Sequence, residues 1–288
     1  MIRARRSEGC VGDGEGEAVG GSGVGTRTSY RIPADADQAR QEQERLLTLA
    51  RARDPMTRRV LTEVGVGPGW ACCDVGSGAG TIVAWLAEQV GPTGRVVSLD
   101  VDVRFQPPSA GVVEVRVADV TTEPVGDAEF DIVNARAVLQ HLEQREAVLD
   151  ALVAAVRPGG WVVVTDTDWI QFDAQPLPEP FGELTRLMRA SSERVHGHDA
   201  TWGRRLLPAF QGRGLVDVHA DGVVYTMHGG TDSAEWYVAG LARTIDAHRA
   251  AGTLPPGFPA EEAIAQARDP DFVILSPVSV TVRGRRPG

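Results

Sequence analysis

A glycine-rich turn between a short apolar run and a helical pattern constrains this chain more than any other feature. The turn is Asp74-Val-Gly-Ser-Gly-Ala-Gly80; residues 70–73 before it are mainly apolar, and residues 81–90 after it have a helix-like pattern. Glycines let the backbone approach a ligand closely because they lack a Cβ atom, and the start of a helix presents unpaired N–H groups. A strand, a glycine turn and a helix in this order predict a nucleotide-binding corner of an α/β fold.

The spacing of the glycines argues against a dinucleotide site. If Gly76 and Gly78 began a G-x-G-x-x-G/A pattern, its last position would be Thr81, where NAD-binding turns need Gly or Ala for close packing of helix on strand. With Asp74, two residues before the first glycine, the turn instead has the pattern Asp-x-Gly-x-Gly-x-Gly. This pattern resembles motif I of the class I S-adenosylmethionine (SAM) methyltransferases.

Later segments agree with this resemblance in order and spacing. Apolar runs end at Asp100 and Asp119, a fourth run occupies residues 130–134, and a fifth follows the Arg-Pro-Gly-Gly turn at residues 157–160. A carboxylate at the end of the second strand can accept hydrogen bonds from both ribose hydroxyls. The resemblance implies SAM as the cofactor, with Asp100 at the ribose, Asp119 at the adenine amino group and Asp74 near the methionyl amino group. The full set of implied SAM-binding residues is Asp74, Gly76, Ser77, Gly78, Gly80, Asp100, Val101, Asp119, Val120, Asn134 and Ala135.

The family resemblance also implies the architecture. We expect an α/β fold, a Rossmann-like seven-stranded mostly parallel sheet with an antiparallel terminal hairpin, helical insertions and an N-terminal helical lid. The expected organisation is a disordered tail at 1–29, a helical lid at 30–55, and a methyltransferase domain at 56–288 with acceptor-binding insertions at about 167–200 and 231–268. The core, about residues 56–166, is similar to ubiquinone/menaquinone C-methyltransferases and natural-product O-methyltransferases.

Two further segments bear on the sheet and its edge. The run at 272–282 is predicted to be the last strand, with residues 215 to about 227 as its partner. The loop at 103–110 is short and broken by two prolines, where the family usually has a helix. This departure predicts a shortened wall near the adenine.

Composition narrows the classes of function. The net charge of −10 disfavours a nucleic-acid partner, whose phosphates need a basic surface. All 29 basic residues are arginine, and the absence of lysine excludes a Walker P-loop and a lysine Schiff base. No apolar run reaches membrane-spanning length and no signal peptide is evident, so we expect a cytoplasmic protein without a membrane partner. The adjacent Cys72 and Cys73 are interpreted as small buried side chains, not as part of a disulfide framework.

A general base is needed only if the methyl acceptor must lose a proton, as a hydroxyl does. His141 follows the fourth strand and Asp166 ends the fifth, and ligands bind at the carboxyl ends of strands in open α/β sheets. We interpret His141 as a candidate base and Asp166 as the group that fixes its tautomer. The pairing resembles that of O-methyltransferases acting on natural-product sugars. The alternative for His141 is a helix-start residue bonded to backbone.

Aromatic residues in or near the lid and the insertions are candidates for an acceptor-binding wall. Trp169, Phe172, Trp202, Trp236 and Tyr237 each have core packing as the alternative. Tyr30 could close the site from the lid, and the alternative for this segment is a helix that only packs on the sheet. His196 and His198 lack a fourth ligand at a recognised spacing, so no metal site is predicted. Arg136, after the fourth strand, can meet the SAM carboxylate or pair with a helix acid, and the sequence leaves both options open.

The sequence therefore predicts a SAM-dependent methyltransferase for a small-molecule acceptor, aromatic or lipophilic, in natural-product or antibiotic biosynthesis. The expected target is a hydroxyl oxygen. An alternative is an enzyme of the same fold that binds SAM but catalyses a cyclisation or a decarboxylation. An NAD-dependent oxidoreductase is disfavoured by Thr81, by Asp74 and by the Arg-Pro-Gly-Gly turn. The acceptor, the methylated atom and the oligomeric state, including a homo-oligomer, stay open at this point.

Overall fold

The computed structural model describes residues 35–288, except for the side chains of Val195, His196 and Ser233. The tail predicted at 1–29 and the candidate Tyr30 lie outside the described residues. The helices are α1 (Ala36–Val64), α2 (Thr81–Val90), α3 (Arg145–Ala155), α4 (Ile170–Asp173), α5 (Phe181–His196), α6 (Trp202–Gly212), α7 (Asp232–Ala250) and α8 (Ala260–Arg268). The strands are β1 (Ala71–Val75), β2 (Arg95–Asp100), β3 (Val113–Val117), β4 (Phe130–Arg136), β5 (Val156–Asp168), β6 (Val216–Val223), β7 (Thr226–His228), β8 (Val273–Leu275) and β9 (Val278–Arg285).

The main sheet has seven strands in the order β3-β2-β1-β4-β5-β9-β6, which confirms the predicted fold class. Strands β1 to β5 are parallel, and β9 pairs antiparallel with both β5 and β6. The chain leaves β1 towards β2 on one side and later returns to β4 on the other. Ligands of open α/β sheets bind outside the carboxyl ends of the strands at such a switch point.

The terminal hairpin differs in detail from the prediction. Each of its two predicted strands is divided: β6 and β9 pair in the main sheet, whereas β7 and β8 form a separate two-stranded sheet. Pro277 lies between β8 and β9 and has no N–H group to donate to a ladder, which explains the break in the second run. The single strand predicted for 272–282 was therefore wrong as a continuous element.

The predicted lid segment is part of one long helix. Asp35 caps the start of α1 by accepting from the Gln38 backbone N–H, and Gly65 ends it with φ 96°. The helix runs without interruption across the boundary that was predicted between residues 55 and 56. Its first part packs against α7, where Arg51 bonds Asp232 at 2.6 Å. The first part of α1 is thus held to α7 by tertiary contacts.

Two hydrophobic clusters cover the two faces of the main sheet, and a third lies apart from them. The third contains residues from both predicted insertions, including Phe172, Phe181, Tyr237 and Leu241. Burial of apolar surface is the main stabilising contribution to such a unit. The helical insertions α4, α5, α7 and α8 therefore pack together into a cap with its own core.

Candidate functional site

The glycine turn takes the backbone conformation that its sequence predicts. Gly76, Gly78 and Gly80 have φ values of 66°, 55° and 72°, in the left-handed region that favours glycine. A Cβ atom on Gly76 would lie only 2.3 Å from Cγ2 of Val138, a residue that follows β4. The turn therefore does not accommodate a side chain at Gly76, and its backbone can approach a ligand closely.

A buried polar pair lies beside this turn at the switch point. Asp74 of β1 faces Asn134 of β4, whose Nδ2 donates to Asp74 Oδ1 at 2.7 Å. Burial raises the pKa of Asp74 to about 6, although the hydrogen bond from Asn134 and the charge of Arg136 act to lower it. Asn134 Oδ1 is buried without a hydrogen-bond partner among the described residues. A ligand ammonium group would satisfy both acceptors, so this pair fits the methionyl end of SAM.

This pair leads to a prediction about pH. If Asp74 holds the SAM ammonium, the affinity for S-adenosylhomocysteine (SAH), which carries the same ammonium, should fall as pH drops below about 6, because the carboxylate becomes protonated while the amine stays charged. Calorimetric titrations between about pH 5 and 8 measure this. The variant Asp74→Asn should bind weakly with a flat profile; a wild-type profile without a decline would contradict the assignment.

Asp100 lies where β2 reaches the turn. Its Oδ2 accepts from the Gly78 N–H at 2.8 Å and its Oδ1 from the Asp102 N–H at 3.0 Å. Burial raises the pKa of Asp100, and these two backbone bonds lower it. Each carboxylate oxygen has a second lone pair, so the carboxylate can still accept from a ribose. The ribose assignment stays a prediction, with a geometry that suits it.

We expect Asp100→Ala to weaken SAH binding by about 1–3 kcal/mol, because ribose hydroxyls and the Gly78 N–H would lose a charged acceptor. Titration calorimetry measures the change, with the exposed Asp127→Ala as a control that should leave the affinity unaltered. An unchanged affinity in Asp100→Ala would reject the role.

The shortened loop after β2 makes polar contacts that were not predicted from its sequence. Gln106 donates to Ser77 Oγ at 2.9 Å and also bonds Ser98, while the two serine hydroxyls lie 2.7 Å apart. Pro107 Cδ would lie 3.1 Å from a Cβ on Gly80. The loop thus packs on the glycine turn, and it contains a short 3-10 turn in place of the family's helix.

The residues predicted to bind adenine lie in a partly exposed part of the site. Asp119 follows β3, and its Oδ1 accepts from the backbone N–H and the hydroxyl of Thr121 at 2.9 and 2.6 Å. Val101 is 38% exposed, so it offers an apolar surface to a ring, whereas Val120 packs against the core. The structure places these residues at the carboxyl ends of β2 and β3, and their contacts to adenine stay predictions.

Helix α1 covers the glycine turn. Leu46 Cδ2 would lie 3.3 Å from a Cβ on Gly78, and a cleft of about 530 Å³ extends between α1 and Thr81 at the start of α2. Pockets for ligands of this size commonly span about 300–1,000 Å³. Arg136 donates to Asp54 Oδ1 of α1 at 2.8 Å, so in this structure it pairs with the helix acid, one of its two predicted options.

His141 and Asp166 are not hydrogen-bonded to each other, contrary to the predicted pairing. Neither oxygen of Asp166 has a hydrogen-bond partner among the described residues, and burial raises its pKa well above the usual range, although nearby backbone N–H groups and Arg145 act to lower it. Instead, Gln140 Nε2 lies 3.0 Å from His141 Nε2. Gln140 Oε1 accepts from the Thr167 N–H at 2.8 Å, so its other terminal atom is the donating NH₂ group. His141 Nε2 is therefore an acceptor.

The candidate aromatic residues are mostly packed in cores. Phe172 and Tyr237 belong to the cap core, and Trp169 packs on both rings. Trp202 lies in the main core between the guanidinium groups of Arg145 and Arg205. Rings without exposed surface offer no contact to an acceptor in this conformation. Trp236 is only partly buried and is the candidate that best suits a ligand-facing role.

Other predictions concern ions and cysteines. No group of three or more metal-ligating side chains lies together among the residues whose side chains are described, which do not include His196. Cys72 and Cys73 are free and buried, as predicted. Within residues 35–288 no helix combines the length and apolar character needed to cross a membrane.

Sequence reasoning missed four residues of the site. They are Leu46 over the glycine turn, Gln106 on the two serines, Gln140 on His141, and Arg53, which lies against Tyr225 and Trp236. Only Gln140 carried a signal in the sequence, its position directly before the candidate base.

Comparisons with known proteins agree with this geometry. Residues 73–164 match the family model described as a methyltransferase domain. The ubiquinone/menaquinone biosynthesis C-methyltransferase UbiE of Cupriavidus necator is 30% identical over 188 residues, which cover 62% of this chain and 73% of that protein. The methyltransferase str2 of Strobilurus tenacellus is 30% identical over 55% of this chain, and GfsG of Streptomyces halstedii is 33% identical over 41%. The chain spans 58% of str2 and 45% of GfsG, about half the length of these curated relatives.

Solved structures show the same fold at low identity. The YcgJ protein of Bacillus subtilis aligns over 80% of this chain and 97% of its own length, with a TM-score of 0.50 and 14% identity. The phosphoethanolamine N-methyltransferase 2 of Haemonchus contortus, bound to SAH, aligns over 81% of this chain and 53% of its own length, with a TM-score of 0.50 and 13% identity. With the match to UbiE over most of that protein, the glycine turn and the sheet order, the conclusion is that this chain belongs to the class I SAM-dependent methyltransferases.

Proposed function

We propose that this protein transfers a methyl group from SAM to a hydroxyl oxygen of a small-molecule acceptor, an intermediate of natural-product biosynthesis. One observation carries the proposal: the glycine turn at the switch point has Asp100 bonded to its Gly78 N–H and the buried pair Asp74 and Asn134 beside it. These donors and acceptors suit a ligand with an ammonium at one end and a ribose at the other.

Bound SAM would supply an electrophilic methyl group on a sulfonium sulfur. The protein's own residues would then position SAM and the acceptor and exclude water from them. Asp74 and Asn134 would hold the ammonium, Asp100 the ribose, and the glycine turn the backbone contact next to the methionyl part. Helix α1 would limit access of water, because Leu46 lies over Gly78. Positioning and exclusion of water can provide much of the rate enhancement of a displacement reaction.

His141 is the proposed base for the acceptor hydroxyl. Its Nε2 accepts from Gln140, so an incoming hydroxyl that donates to Nε2 would replace this amide. Gln140 is itself fixed by the Thr167 N–H and hydroxyl, so it orients the imidazole until the acceptor hydroxyl takes its place. Asp166 is buried, and burial holds its pKa well above the usual range. We propose that it acts as a neutral hydrogen-bond donor in this region, and not as the ionised partner of His141.

The cap is an argument for a specialised acceptor. Helices α5, α7 and α8 form a core of their own outside the residues that match the family model, 73–164. Trp236 of α7 and Tyr225 lie against Arg53 of α1, so two aromatic rings border the contact between α1 and the cap. Such rings suit an aromatic or lipophilic acceptor.

The test is product analysis with SAM that carries a deuterated methyl group. The full chain is incubated with phenolic, quinone and glycosylated acceptors, and the mass of each product is compared with the amount of SAH released. A product that gains one deuterated methyl for each SAH supports the proposal. Conversion of an acceptor without SAH would instead favour the alternative of a cyclisation or decarboxylation, and a change in nicotinamide absorbance would favour a dehydrogenase.

A further inference from the structure

Arg53 differs from the other arginines of helix α1. The guanidinium carbon of Arg53 lies 5.1 Å from the ring centroid of Tyr225 and 5.4 Å from that of Trp236. No carboxylate within residues 35–288 lies within ion-pair distance of it. The other arginines of the same helix all have an acidic partner: Arg40 with Asp37, Arg45 with Glu42, Arg51 with Asp232, Arg58 with Asp54 and Arg59 with Glu63.

The surroundings of Arg53 add positive charge and no compensating acid. Burial lowers the pKa of Arg53 to about 10, Tyr225 acts to raise it, and the nearby charge of Arg136 lowers it. Arg136 and Arg58 share the carboxylate of Asp54, which faces them and not Arg53. A partly buried guanidinium beside two rings is stabilised by cation–π contact, and its N–H groups can still donate to a ligand.

Arg53 lies beside the two rings to which the proposed function assigns acceptor binding. Trp236 belongs to α7 of the cap, Tyr225 lies between β6 and β7, and Arg136 ends β4 at the edge where ligands bind. Arg53 of α1 thus lies against the cap and near the sheet edge. The buried pair Asp74 and Asn134, which suits the SAM ammonium, lies on β1 and β4, and the charge of Arg136 acts on both Asp74 and Arg53.

We propose that the methyl acceptor carries a carboxylate, which pairs with the Arg53 guanidinium while an adjoining apolar or aromatic part of the acceptor lies against Trp236 and Tyr225. The inference rests on the proposed function, because it assigns a substrate class to the same site. A guanidinium presents a planar fork that matches a carboxylate in two hydrogen bonds. The single positive charge of Arg53, beside two rings, suits an acceptor group that carries a single negative charge.

The test uses benzoate and its neutral isostere benzamide as probes of the SAH-bound full chain, with binding followed by tryptophan fluorescence. We expect the wild type to bind benzoate about tenfold more tightly than benzamide. The variant Arg53→Gln should lose this preference and keep its SAH affinity, and Arg53→Lys should retain part of it. The matched control Arg40→Gln, on the same helix and paired with the exposed Asp37, should behave as the wild type.

Two results would overturn the inference. One is equal binding of the two probes by the wild type, or no binding of either at millimolar concentration. The other is a preference that persists in Arg53→Gln while SAH affinity falls, which would place the guanidinium on the methionyl carboxylate. Failure of the wild type to bind SAH at all would instead refute the proposed function, so the two failures are distinguishable.

Discussion

Gly76→Ala is expected to abolish measurable SAH binding and to lower the free energy of unfolding by about 1–3 kcal/mol. Gly76 has φ 66°, and the added Cβ would lie 2.3 Å from Val138 Cγ2. The turn or the segment after β4 must therefore shift, and both border the proposed SAM site. Calorimetry with SAH and urea unfolding measure the two effects.

Gly91→Ala is the matched control for this substitution. Gly91 follows α2, also has a positive φ of 63°, and has no atom within 4 Å of the position of an added Cβ. It should cost stability through backbone strain alone and leave SAH affinity intact. If Gly76→Ala bound SAH as the wild type does, the glycine turn would not be the cradle for the cofactor.

His141→Ala is expected to slow methyl transfer by about 10²–10⁴ while SAH affinity stays within about twofold. The reason is that the proposed acceptor hydroxyl would lose the imidazole Nε2 that takes its proton. The measurement is single-turnover transfer to whichever acceptor the product analysis identifies. His219→Ala, an exposed residue of strand β6, is the control and should leave the rate unaltered.

A second variant separates the base from the residue that orients it. Gln140→Ala should lower the rate less than His141→Ala, because it removes the group that orients the ring and not the ring itself. An unaffected rate in His141→Ala would show that the acceptor needs no base, or that another group provides it.

The cofactor side of the site could be predicted from the sequence because its signals are local. The acid and the three glycines of the turn lie within seven residues, and Asp100 is the last residue of an apolar strand. Parallel strands then bring their carboxyl ends together without further information. The family match over residues 73–164 covers this same part of the chain.

The acceptor side could not be predicted because its contacts join distant segments. Arg53 meets Tyr225 and Trp236 across more than 170 positions, and no periodicity or spacing links them. The division of the last strand depends on Pro277, and the absence of a hydrogen bond between His141 and Asp166 depends on how the chain folds around them. Aromatic content located the cap, yet it did not distinguish Trp236 from the fully buried Phe172.

Calorimetric titration of the purified chain with SAM, SAH and NAD, in wild type and in Gly76→Ala, tests the central claim most directly. The structure predicts one site that binds SAM and SAH tightly, does not bind NAD, and is lost in the variant. Absence of heat with both sulfur ligands, or binding of NAD, would contradict it and would remove the basis for the proposed methyl transfer.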